Sequence, residues 1–324
     1  MPHHNNFLKQ GKCSYCNKSG IIHREYSGEN FCQHCFINNI EKNVNSTISR
    51  YKMLSPNDKI IVGLSGGKDS ITLLYNLNKI QNKKYQSESI IALIIDEGIK
   101  NYRENSIKKA IEFCIKYDIE YKVISFKERI GYTLDEIIKK KSNTADYKYA
   151  CNYCATFRRR LLNDGAKELN GTLLALGHNL TDFAETYLIN ILYKRLRLIG
   201  NQYLFKKENT NIRHYFLKRI SPLMRIPEEE ILLYANIKKF NYYPLHCPYR
   251  EKDPIIRKRV LDFIQECKKY SPEIEFNLLN GFLELSAMLY KQTEVNFSQR
   301  CQSCGYPCGN NQICIFCSYL KEID

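Results

Sequence analysis

The amino-acid sequence predicts an α/β fold, a doubly wound parallel sheet flanked by an N-terminal and a C-terminal zinc-ribbon module. Three observations predict it. Short apolar runs alternate with helical stretches through the middle of the 324 residues, a glycine turn follows the first of those runs, and a CxxC…CxxC array stands at each end. Strands separated by helices imply parallel pairing, because a parallel connection needs a dozen or more residues and a helix supplies them.

Residues 1–45 read as the first module. Cys13, Cys16, Cys32 and Cys35 form two knuckles with the spacing that closes a tetrahedral thiolate site for zinc, although His34 could replace one thiolate. Residues 46–250 read as the sheet domain. "DKIIVGLSGGKDS" is an apolar run ending in a glycine turn, and "ITLLYNLNKI" after it has helical periodicity. "SIIALIIDEG" reads as a second strand, "NSIKKAIEFCIKYD" as an amphipathic helix, "IEYKVISF" as a third strand and "GTLLALGHN" as a fourth, followed by the helical "TDFAETYLINILYKRL". "NQYLFKKENTNIRHYFLK" reads as a polar surface excursion, and "EEEILLYANIKKF" as a helix started by Pro227. Residues 251–297 read as a helical extension and 298–324 as the second module. There Cys301, Cys304, Cys314 and Cys317 repeat the two knuckles around a fifth thiol, Cys308, which is expected to be the spare. Closed four-thiolate sites keep no open position, so both zinc ions are expected to be structural.

The formal net charge of +15 points to a polyanionic partner, since each phosphate neutralised releases condensed counterions. The opening "MPHHNNFLKQ" is polar, and no run approaches the roughly 18 apolar residues of a membrane span. A cytoplasmic protein without membrane contact is therefore expected. In that reducing setting the 14 cysteines read as metal or redox chemistry rather than disulfides.

The chemistry sits at strand ends. In "SGGKDS", Ser65, Gly66, Gly67, Lys68, Asp69 and Ser70 follow a strand and open a helix, whose free N–H groups and dipole favour a phosphate. The spacing is neither GxxxxGKS/T nor GxGxxG. It resembles the pyrophosphate loop, or PP-loop, of the N-type ATP pyrophosphatases. "IDEGIKNYRENS", "GYTLDEI", "CNYCATFRRRLL", "GHNLTDFAET" and the isolated Cys247 in "HCPYR" extend the resemblance to the 2-thiouridine tRNA sulfurtransferases, over nearly the whole chain.

That resemblance implies a set of roles. Cys151, Cys154 and Cys247 would hold a 4Fe-4S cluster; three thiolates leave one iron open for a sulfide, which explains a central CxxC pair without a second pair beside it. ATP would lie on the PP-loop, with Asp69 and Asp182 holding Mg2+, Asp96 toward the nucleoside, and Gly177 and His178 in the second loop. The uridine 2-oxygen would attack the α-phosphorus, and sulfide would then displace AMP. Arg158 stands where some members carry a catalytic lysine; it can stabilise phosphate charge but is a poor proton carrier. A CxxC pair just before a helix, beside arginines, is expected to gain thiolate character. Cys114 and Cys267 read as inert. A homodimer is implied, as is a sulfur donor that is either sulfide or a ubiquitin-like carrier.

Two positions depart from the family pattern. Thr181 replaces the first of two successive acids, leaving Asp182 alone, and Ala155 replaces a glycine, which is tolerable at negative φ. Three alternatives stay open. The wobble uridine is favoured over the T-loop uridine by "IDEGIKNYR" and "CNYCATFRRR", although "CGYP" leans the other way. A cluster-free persulfide on Cys154 and Cys247 would show the same cysteine dependence without iron. A tRNA-binding zinc protein with a regulatory nucleotide site would show no cysteine dependence.

Overall fold

The structure, a computed structural model, describes residues 11–82, 88–142, 149–202, 204, 214–250, 255–292, 299–309 and 311–324. Most of the stretch expected to be a surface excursion, and the polar opening, lie outside these residues.

Two short antiparallel strands, β1 (Ile22–Arg24) and β2 (Glu29–Phe31), lead into α1 (Gln33–Arg50). The Cys32 sulfur caps α1 by accepting the Cys35 N–H, so the second knuckle of the thiolate array is also the helix start. Phe36, Ile40 and Val44 recur along one face of α1 and are buried in the same core as the central sheet.

The sheet is β3 (Ile60–Gly63), β4 (Ile91–Asp96), β5 (Glu120–Ser125), β6 (Leu173–Ala175) and β7 (Lys218–Ile220), all parallel, in the order β5-β4-β3-β6-β7. Ile91 to Ile95 are all buried, the continuous apolar pattern of a strand covered on both faces. The helices are α2 (Lys68–Gln81), α3 (Arg103–Lys116), α4 (Phe126–Ile130), α5 (Leu134–Lys141), α6 (Ala150–Glu168), α7 (Leu180–Leu192) and α8 (Leu196–Gly200). After β7 come α9 (Glu228–Ile237), α10 (Ile255–Lys268) and α11 (Ile274–Gln292); strands β8 (Gln299–Arg300) and β9 (Pro307–Gly309) and helix α12 (Ile315–Ile323) close the chain.

The chain leaves β3 toward β4 and β5 on one side, then returns to place β6 and β7 on the other. β3 and β6 therefore flank the switch point, where the loops after both strands open a crevice.

Four local expectations change. β7 is a fifth strand that its three residues were too few to announce, and "GYTLDEI" holds a helix start, sealed by the Thr133–Glu136 capping box. Phe126 leaves β5 for α4, because Ser125 and Glu128 form a second box. The stretch after "GHN" is two helices rather than one: Lys194 adopts φ 53°, a left-handed turn that stops α7 before α8 begins.

Candidate functional site

The glycine turn after β3 is built for a close approach. Gly66 has φ +86°, and a Cβ there would meet the Ser106 carbonyl oxygen at 2.0 Å, so no other residue fits without moving α3. Ser65 and Ser70 lock the turn through a hydroxyl pair at 3.0 Å, and Ser70 Oγ also donates to the Gly67 carbonyl at 3.0 Å. Gly67 is the N-cap of α2 and offers no side chain, which leaves the first N–H groups of α2 for a ligand. The second loop comes as close: a Cβ on Gly177 would stand 3.0 Å from the Ser70 nitrogen.

Charges gather on this turn. Lys68 Nζ lies 3.0 Å from Asp69 Oδ2 and 2.6 Å from Glu228 Oε1. Burial acts to lower the Lys68 ammonium, but the two carboxylates outweigh it and hold its pKa above the ordinary range. Asn179 joins the loops: its side-chain amide donates to Asp69 Oδ1 at 3.1 Å, while its backbone N–H donates to Asp182 Oδ2 at 3.1 Å in the box that starts α7. Burial raises the pKa of both Asp69 and Asp182; Glu228 adds to both shifts, and Asp182 adds to that of Asp69. Two such carboxylates beside a phosphate site are a donor set that fits Mg2+. Asp96 turns one oxygen back to accept the Gly98 N–H at 2.8 Å.

Thr181 does not stand in for the missing acid. Its hydroxyl donates to the buried Glu275 at 2.6 Å and accepts the Glu228 N–H at 3.2 Å, tying α7 to α9 and α11. His178 faces Arg158, Arg159, Arg257 and Arg219; burial first, then these cations, bring its pKa down to about 4, so the ring is neutral at pH 7.

The three cysteines lie on the same sheet edge. Cys151 and Cys154 occupy the first turns of α6, and Cys247 sits on the irregular segment after α9; all three are half-buried. Cys154 and Cys247 pack with Tyr102 and Tyr249 at the edge of one apolar cluster. Cys154 feels the charge of Arg158, Cys247 and Cys151. Burial runs against the expected thiolate character: it pushes Cys154 up to about 12 and raises Cys247 too, outweighing the neighbouring Arg158. Arg158 Nη1 reaches Glu97 Oε1 at 3.4 Å.

Sequence reasoning missed two buried groups. Arg103 donates to the Ser65 carbonyl at 2.6 Å and the Ile95 carbonyl at 2.7 Å, bracing the glycine turn from behind. Glu97 Oε2 stands 2.6 Å from Arg103 Nε, but that N–H is aimed at Ile95, so the oxygen accepts no hydrogen bond. Both lie within the quoted "IDEGIKNYRENS"; nothing in the letters separates a buried ion pair from two solvated charges.

Two groups of four cysteines have all their sulfurs within 4.8 Å of one another: Cys13, Cys16, Cys32 and Cys35, and Cys301, Cys304, Cys314 and Cys317. The sulfurs of Cys16 and Cys32 are 3.5 Å apart and those of Cys304 and Cys314 3.6 Å, close to the ~3.8 Å that tetrahedral zinc with 2.3 Å bonds would give. His34 instead contacts Asn38 at 2.9 Å, and Cys308 donates to the Asn311 carbonyl. Cys151, Cys154 and Cys247 lie within electrostatic reach of one another, and three thiols of this kind are a donor set that fits a cluster whose irons each take one thiolate.

A parallel sheet that places a glycine-turned helix start and facing carboxylates at its switch point defines an α/β enzyme that works on a nucleotide's phosphates. The PP-loop domain family matches residues 36–247. A probable sulfurtransferase of Methanocaldococcus jannaschii is 36% identical over 313 residues, covering 96% of this chain and 87% of that one. Cytoplasmic tRNA 2-thiolation protein 1 of Laccaria bicolor is 30% identical over 316 residues, covering 96% and 85%. The solved U34-tRNA thiolase NcsA from Methanococcus maripaludis, with its 4Fe-4S cluster, superposes with a TM-score of 0.81 at 34% identity over 96% of each chain. The chain belongs to the PP-loop ATP pyrophosphatase family, among its sulfurtransferases.

Proposed function

We propose that the chain is an ATP-dependent tRNA-uridine 2-sulfurtransferase of the cytoplasm, acting on the wobble uridine. The observation that carries this reading is the meeting of the PP-loop and three half-buried cysteines at one sheet edge, where the segment bearing Cys247 is bonded to Gly66 and Arg158 stands beside Cys154. The likeness to the U34-tRNA thiolase supports the wobble position.

The α2 N-terminus, with Ser65, Gly66, Gly67 and Ser70, binds the β- and γ-phosphates, and Lys68 leaves Glu228 to neutralise them. Asp69 and Asp182 hold Mg2+, and Asp96 contacts the nucleoside. The uridine 2-oxygen attacks the α-phosphorus, pyrophosphate leaves, and the O-adenylate is exposed to sulfide. The carbon–sulfur bond forms as the C2–O bond breaks, and AMP carries away the former uridine oxygen. Arg158 stabilises the phosphate of that leaving AMP, and His178, neutral at pH 7, lines the crevice without adding charge.

Cys151, Cys154 and Cys247 would hold the 4Fe-4S cluster, which when bound supplies an iron with a free position for sulfide. The eight terminal thiols hold two Zn2+, the sulfur comes from sulfide or a ubiquitin-like carrier, and the enzyme is a homodimer.

Position-mapped mass spectrometry of tRNA nucleosides from cells lacking the protein tests the reading. Wobble 2-thiouridine should disappear and return with the wild-type chain, but not with Cys151→Ala, Cys154→Ala or Cys247→Ala. Loss confined to the T-loop would reject the wobble assignment, and thiolation by iron-free protein at the full rate would favour the persulfide route.

A further inference from the structure

"GYTLDEI" has no part in phosphate or thiol chemistry, yet the structure gives it one precise contact. Residues 241–250 form an irregular segment, and Pro244, Leu245 and His246 are exposed just before Cys247. A cysteine on such a strap needs fixed points on both sides to hold its sulfur in place.

Upstream, the Tyr243 N–H donates to the Gly66 carbonyl at 2.9 Å, fastening the strap to the glycine turn. Downstream, the Arg250 N–H donates to the Cys247 carbonyl at 2.9 Å, closing a turn directly after the cysteine. The Tyr249 hydroxyl then donates to Asp135 Oδ1 at 2.8 Å. The other oxygen, Asp135 Oδ2, accepts the Lys100 N–H at 2.9 Å, and the neighbouring Leu134 N–H donates to the Glu97 carbonyl at 2.7 Å. Asp135 therefore ties the strap to the loop after β4, the loop that also carries Glu97 beneath Arg158. Its own footing is firm: α5 is capped by Thr133 and Glu136 and anchored by buried Leu134 and Ile137.

We propose that Asp135, acting through Tyr249, is a positioning residue that sets where the Cys247 sulfur stands relative to Cys151 and Cys154. The inference rests on reading those three cysteines as one ligand set. Partners of this kind orient metal ligands elsewhere, and their loss typically weakens metal affinity about 10- to 100-fold.

Tyr249→Phe removes one oxygen and keeps the ring in its apolar contacts; Asp135→Ala removes the acceptor. In the metal-free full chain, site-resolved alkylation with iodoacetamide should label Cys247 about tenfold faster in both variants, the factor expected for one lost hydrogen bond. Cys114 should label at the wild-type rate. After anaerobic reconstitution, iron retention against a chelator should weaken by about the factor above, with zinc content and Tm unchanged. Wild-type labelling of Cys247 together with wild-type iron retention in Tyr249→Phe would overturn the proposal. So would faster labelling of every cysteine with a lower Tm, which marks general loosening. Should the wild-type chain take up no iron, the cluster reading fails, while the labelling of Cys247 still decides whether Asp135 positions it.

Discussion

Arg24 and Glu230, 206 positions apart, meet in a two-bond pair: Arg24 Nε donates to Glu230 Oε1 at 2.9 Å and Nη2 to Oε2 at 2.7 Å. Both are buried, Tyr26 adds a hydroxyl donor to the same carboxylate, and the guanidinium lies 4.5 Å over the Phe31 ring. The pair joins the first cysteine module to α9, the helix whose opening residue, Glu228, contacts Lys68 of the glycine turn.

Glu230→Ala leaves the buried guanidinium with only Glu29, 3.8 Å away, as a counter-charge and should destabilise the chain by about 3 kcal/mol. Adding Arg24→Met to that variant should recover much of the loss, because the stranded charge is gone. Denaturant unfolding of both singles and the double measures the coupling, and additive losses would show that the two side chains do not act as a pair.

The two four-thiolate groups should each hold one zinc ion, and chelation should unfold the ends of the chain, since metal binding supplies much of the folding free energy of such modules. Metal analysis of anaerobically purified protein checks the count. Cys13→Ser or Cys301→Ser should lose one ion each, whereas His34→Ala and Cys308→Ser should keep both. A Cys308→Ser protein that loses an ion would show that the fifth thiol is a ligand after all.

The sequence was most legible where one chemistry demands one spacing. The CxxC arrays, the glycine turn and the long helices all carry local signals. β7 was not legible, because three residues in a parallel sheet owe their extended state to β6 beside them rather than to their own pattern. The pull of burial on Cys154 was not legible for a related reason: the letters show the nearby arginines, but Tyr102 and Tyr249, which pack with it, are distant in sequence. The Lys68–Glu228 pair spans 160 positions and leaves no trace in either neighbourhood.

His178 gives a pH test. An unperturbed imidazole titrates near 6.5, whereas burial first and then the four arginines bring the folded ring down to about 4. Between those values the unfolded state binds a proton that the folded state refuses, so stability should fall as pH drops from 6.5 toward 4. His178→Gln should flatten that part of the curve. NMR titration of the imidazole checks the midpoint directly, and ATP or tRNA should move it upward by bringing negative charge among the arginines. A midpoint near 6.5 in the free protein would mean that neither burial nor the cations act on the ring.

Arg159 and Arg160 are neighbours in sequence and should behave as opposites. They point about 100° apart around α6. Arg160 is taken up in the fold: Nε lies 2.5 Å from Asp164, the guanidinium stacks 3.2 Å from the Tyr306 ring centre, and Nη1 reaches the Cys304 sulfur at 3.7 Å. Arg160 is therefore not free for a polyanion. Arg159 is exposed, has no carboxylate partner among the described residues and lies within electrostatic reach of Arg158 and Arg257. An exposed guanidinium beside two further cations, which carry their own acids, fits a phosphate. Arg159→Gln should therefore weaken tRNA binding for all sequences alike and reduce the slope of log K against log salt by about one. Arg160→Gln should leave that slope unchanged but loosen the second cysteine module, read as faster zinc release to a chelator. Equal salt slopes for the wild type and Arg159→Gln would remove this arginine from the tRNA surface, and zinc release at the wild-type rate in Arg160→Gln would show that its contacts to Tyr306 and Cys304 do not hold the module.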